Sequence, residues 1–96
     1  MFKSALLAFA LFSTPVLAAP AFEADPTAKP AAERIVLRDT IWRCGDAGCA
    51  AGKSSSRPAV VCAVFAKKVG SLRSFSAEGQ ALSPEELEKC NARSAQ

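Results

Sequence analysis

Four cysteines, Cys44, Cys49, Cys62 and Cys90, lie in a segment too short to build a large core, in a chain of 96 residues that contains no histidine. A domain of roughly 60 residues buries only a modest share of its surface and is marginally stable without cross-links. In the chain-entropy view, a bridge closing Cys62 to Cys90 stabilises by about 3.6 kcal/mol, and one closing Cys44 to Cys49 by about 2.2 kcal/mol. Those figures rival the whole stability expected of such a domain. The cysteines therefore constrain the fold more than any other feature, provided that they are oxidised.

The N-terminus indicates that they are. Lys3 supplies a positive start, Ala5 to Phe12 form a short apolar run, and Ser13-Thr14-Pro15 interrupts it. Val16-Leu17-Ala18 then matches the small-residue pattern of a cleavage site. Residues 1–18 are expected to be a signal peptide cut after Ala18, with Ala21 as a second acceptable position. The apolar run is far shorter than the ~20 residues of a bilayer span, so no transmembrane segment is expected in the mature form. No cysteine closes the run and no Arg-Arg pair precedes it, which disfavours a lipid anchor and twin-arginine export. A periplasmic or secreted location follows, and with it an oxidising environment.

Removing residues 1–18 takes away only Lys3, leaving 11 basic against 9 acidic residues and a net charge of about +2. That excess is too weak to imply nucleic acid or an anionic membrane. Lys53, Arg57, Lys67, Lys68 and Arg73 gather in one stretch, which reads as part of a solvated, dipolar surface, with an acidic ligand there as the sharper alternative. Residues 19–32 carry three prolines and many alanines without apolar periodicity. They are expected to form a flexible leader to a single domain at 33–96.

Within the domain, Arg34 to Arg43 is rich in β-branched residues and reads as one long strand interrupted at Asp39. Ile35, Leu37 and Ile41 would share one face, and Val36 and Trp42 the other. Cys44-Gly45-Asp46-Ala47-Gly48-Cys49 carries tight-turn residues between its cysteines, so the chain is expected to fold back as a hairpin. Ser56 is the expected N-cap of a helix with Pro58 in its first turn. Its stripe is Val61, Cys62, Phe65, Ala66 and Val69, and Gly70 ends it. Ser71 to Ser76 reads as a short strand, with Gln80 to Leu82 as its return. Ser83-Pro84-Glu85-Glu86 has the form of a capping box, flanked by Leu82 and Leu87 at staple positions. It opens a helix that carries Cys90.

Four cysteines allow three pairings. Cys44–Cys49 with Cys62–Cys90 is favoured, because one pair would meet across a hairpin and the other between two apolar helix stripes. Metal ligation is disfavoured by the cysteine spacing and the missing histidines, and no cofactor is expected. Histidine-assisted nucleophilic catalysis is impossible, and no Cys-x-x-Cys motif occurs. The short Cys44–Cys49 loop leaves a labile redox pair as a second reading. Trp42 and Phe75 read first as core aromatics and, if exposed, as contact residues, with Arg57 as the accompanying charge.

The order Trp42-x-Cys44, Cys49, Ser56-Arg57-Pro58, Val61-Cys62, Gly70, Phe75, Leu87 and Cys90-Asn91 resembles a family of small exported bacterial proteins with no assigned function. The resemblance covers roughly residues 34 to 92. It implies export, one small domain and four characteristic cysteines, and it carries over no catalytic or ligand residue. The expectation is an α+β, disulfide-stapled domain of antiparallel β-hairpins and two α-helices. It would be a non-enzymatic module for an unknown protein or cell-envelope component, not for nucleic acid. A thiol–disulfide redox protein using Cys44 and Cys49 is the alternative.

Overall fold

The computed structural model describes residues 20–95. The expected signal peptide lies outside the described residues. In chain order the elements are β1 (Phe22–Pro26), β2 (Arg34–Leu37), β3 (Thr40–Gly45), β4 (Gly48–Ala51), α1 (Pro58–Val69), β5 (Leu72–Ala77), β6 (Gln80–Ala81) and α2 (Pro84–Ala92). A 3₁₀ turn at Arg93–Ala95 follows α2. The strands form a six-stranded sheet in the order β2-β3-β4-β1-β5-β6, antiparallel at every step. The fold is α+β, with two disulfides in a small domain.

The sheet corrects the expectation of a flexible leader at 19–32. Its residues 22–26 are β1, which pairs with β4 on one side and β5 on the other. The alternation is regular: Phe22, Ala24 and Pro26 are buried, while Glu23 is exposed. Ala24 lies opposite Cys49 and Phe75 in the two ladders, where a small side chain sits between larger ones. Pro26 falls at a shift of register between β1 and β5, a place where a missing N–H is tolerated. Burial between two strands offsets an ordering entropy that the composition alone could not meet.

Arg34 to Arg43 is likewise not one strand. The chain reverses at Arg38-Asp39, with Arg38 at φ +54°, and gives the β2–β3 hairpin. Reversal exchanges the faces read from a continuous strand. Ile35 now pairs with Trp42 on the buried face, and Val36 pairs with Ile41 on the exposed one. The β3–β4 hairpin is as expected, with Cys44 directly opposite Cys49.

Helix α1 starts one residue later than expected. Arg57, not Ser56, occupies the N-cap and makes no side-chain cap bond. Pro58 sits in the first turn, and Gly70, at φ +99°, donates its N–H to Ala66 O. Val61, Cys62, Phe65 and Ala66 are buried against the sheet. Trp42 stacks on Phe65 with ring centroids 3.9 Å apart, and Phe22 and Phe75 complete the aromatic centre. Such a stacked pair adds about 0.5–1.5 kcal/mol beyond the area it buries. In α2 the capping box forms in both directions: Glu86 N–H donates to Ser83 Oγ, and Ser83 N–H donates to Glu86 Oε1.

Candidate functional site

The bridges join Cys44 to Cys49 and Cys62 to Cys90, and no cysteine is free. The second bridge fixes α2 beside α1 and so shapes the groove that runs between them. This groove has a volume of about 570 Å³. Its floor comes from Val60, Ala63 and Val64 of α1, and Cys90 of α2 borders it. Its charged lining is Arg38, Lys67, Lys89 and Arg93, with Glu86 as the one carboxylate. Glu86 Oε1 is already occupied by Ser83 N–H and Ser83 Oγ, so its charge is held at the helix start.

Local sequence explains how these groups converge. Ala59, Val60, Ala63, Val64 and Lys67 recur at helical spacing beside the buried stripe of α1, which is therefore apolar around most of its circumference. Glu86, Lys89, Cys90 and Arg93 follow the same spacing on one face of α2. Lys67, Lys89 and Arg93 lie at the C-terminal ends of their helices, where the helix dipole favours positive charge. Arg38 arrives from the β2–β3 turn.

That turn is anchored by its neighbour. Asp39 accepts from Ser54 Oγ at 2.8 Å, Ser55 N–H at 2.8 Å and Ser55 Oγ at 2.9 Å. The Ser55 amide first, then the serine hydroxyls, hold the Asp39 carboxyl well below its ordinary value of 3.8. These bonds tie the loop entering α1 to the hairpin that carries Arg38. Asp39 is thus a positioning group, bonded to Ser54 and Ser55 and in no salt bridge with Arg38 or Arg43 among the described residues.

The residues singled out in sequence fare differently. Trp42 and Phe75 are fully buried in the aromatic centre, as their first reading as core aromatics has it, which removes them as surface contact candidates. Arg57 is exposed at the N-cap of α1 but does not line the groove. The basic stretch is dispersed. Lys67 reaches the groove, whereas Arg73 lies 3.5 Å from Asp25 across the β1–β5 ladder. Arg38, Lys89, Arg93, Val60 and Val64 were missed. The signal available for them was the second apolar face of α1 and the three-and-four spacing on α2.

Among the described residues no group of three or more His, Cys, Asp or Glu side chains is placed to hold a metal ion. No described helix is long and apolar enough to cross a membrane.

The fold and groove define a class: a small, doubly disulfide-bonded α+β domain with a basic, apolar-floored cleft between two linked helices. The chain belongs to a Family of unknown function (DUF8200), which matches residues 7–92. No curated protein and no solved structure was found to match it.

Proposed function

We propose that the protein is a non-enzymatic exported domain, periplasmic or secreted, that binds an acidic segment of a partner protein in the α1–α2 groove. The groove itself carries this reading. Four cations against one engaged carboxylate attract an acidic partner and speed its encounter. The apolar floor supplies area that leaves water on docking. Two disulfides are compatible with an oxidising compartment. A protein partner is favoured over a lipid surface because the floor offers valines and alanines, not the protruding aromatic and leucine side chains that enter an interface.

The redox reading has less support. Exchange requires an incoming thiolate to reach a bridge sulfur. Cys49 is only 4 % exposed, which leaves the half-buried Cys44 as the one sulfur within reach, on the same side of the sheet as Ala24 and Phe75.

A photo-crosslinker placed at Ala63 tests the proposal in the intact producing cell. A discrete protein adduct is expected, mapping to an acidic segment and lost in Lys67→Glu/Lys89→Glu. Adducts with lipid alone, or protein adducts indifferent to charge reversal, would sink it.

A further inference from the structure

The groove is not the only surface left without a partner. β2 stands at the edge of the sheet, and its register shows which of its backbone groups pair with no strand among the described residues. Cys44 N–H donates to Glu33 O, so Glu33 and Cys44 are a hydrogen-bonded pair. The alternation of an antiparallel ladder then makes Ile35–Trp42 and Leu37–Thr40 hydrogen-bonded pairs as well. Arg34 and Val36 fall between them, so their N–H and C=O groups point outward from the edge. The opposite edge, β6, has two residues only.

Side chains beside this edge are equally unsatisfied. Val36 is 59 % exposed and its cross-strand partner Ile41 is 43 % exposed. Arg34 lies directly opposite Arg43, both exposed, in a pair type whose side chains sit close together. Like charges directly opposite destabilise a sheet. Among the described residues neither arginine forms a salt bridge.

We propose that β2 is a docking edge that accepts an acidic extended segment of another protein as a seventh strand. Main-chain bonds to Arg34 and Val36 would give the pairing, and side chains on the open face its selectivity. An antiparallel strand would set an apolar residue opposite Val36 and an acidic one, two positions later, opposite Arg34. It reads apolar-x-acidic. A second copy of this chain fits poorly, because pairing two β2 edges would bring both Arg34–Arg43 pairs onto one face within a Debye length. The same arginines that repel a copy admit the acidic strand, so specificity arises from what is excluded. This surface lies on the sheet and does not rest on the groove.

The test uses the folded, disulfide-intact protein and a capped peptide, Ser-Thr-Val-Thr-Glu-Thr-Ser, at about 1 mM, where weak binding is measurable. Amide shifts and slowed hydrogen exchange are expected at Arg34 and Val36. A lysine in place of the peptide's glutamate should weaken binding about tenfold, and Arg34→Glu/Arg43→Glu should reverse that preference. Methylating the peptide's Val and Glu amides should abolish binding, while Lys67→Glu/Lys89→Glu in the groove should leave it unchanged. The proposal is overturned by unperturbed Arg34 and Val36 amides, by equal binding of the two peptides, or by binding that survives N-methylation. A concentration-dependent dimer that slows those amides without peptide would overturn it in favour of a second copy.

Discussion

The Asn91 carboxamide pairs with the backbone of Leu72 in both directions. Its Oδ1 accepts from Leu72 N–H at 2.8 Å, and its Nδ2 donates to Leu72 O at 2.9 Å. β6 pairs with Ser76 and Ala77, so among the described residues the start of β5 has no strand on that side. Asn91 supplies the missing ladder from α2. Its neighbour Cys90 is bonded to Cys62, so two consecutive residues tie α2 to the sheet and to α1.

Asn91→Ala leaves a backbone donor and acceptor of β5 without these partners. The expected loss is about 1–3 kcal/mol, read as a lower urea midpoint with an unchanged slope. Asn91→Asp should also destabilise at neutral pH, because a carboxylate cannot donate to Leu72 O. An Asn91→Ala midpoint equal to the parent's would show that water replaces the pairing at no cost.

Asp39 makes stability depend on acid. Its folded carboxyl titrates well below 3.8 because the Ser55 amide and the serine hydroxyls stabilise the charged form. A depressed pKa contributes stability that is fully present above the unfolded value and is lost as pH falls through the folded one. The loss should therefore begin below about pH 4 and continue downward. Melting curves of the parent and Asp39→Ala should converge across that window, with the variant less stable above it. Parallel curves at all pH values would rule this linkage out.

How far the sequence reveals the fold depends on how local each signal is. The α2 start was legible because Ser83 and Glu86 satisfy each other within one turn, whatever the rest of the chain does. The Cys44–Cys49 hairpin was legible for the same reason. β1 was hidden because its stabilisation comes from β4 and β5, far along the chain, while the alanines and prolines around it resemble a linker. The β2–β3 turn was hidden because Arg38 takes a left-handed conformation that usually signals glycine or asparagine. That one reversal moved Ile41 to the open face and Trp42 to the core. The groove was half visible: both helical faces can be read from spacing, but Arg38 joins them only once the turn is known.

The two bridges should differ in what their removal does. Cys62–Cys90 closes the longer loop, with a sequence separation of 28 against 5. Removing it as Cys62→Ala/Cys90→Ala should cost about 3.6 kcal/mol from chain entropy and leave a small cavity. Cys44→Ala/Cys49→Ala should cost about 2.2 kcal/mol. Denaturant midpoints should fall in that order, and a non-reducing peptide map of the parent should contain only the two native cross-linked fragments. The reverse order would mean that native-state packing, not the loop, sets the contribution of each bridge.

β1 offers the sharpest distinction between a leader and a structural strand. A chain beginning at Thr27 would lose Phe22 from the aromatic centre and Ala24 from between Cys49 and Phe75. It would also split the sheet into β2-β3-β4 and β5-β6, with no strand between β4 and β5. A flexible leader, once removed, would leave melting unchanged. Loss of β1 should abolish cooperative unfolding and dispersed amide spectra even with both disulfides formed. Adding a peptide of residues 19–27 in trans should restore part of that order, because the vacated position presents paired edges on both sides. Phe22→Ala in the full chain gives the graded version, with an expected loss of about 3–5 kcal/mol measured by urea unfolding.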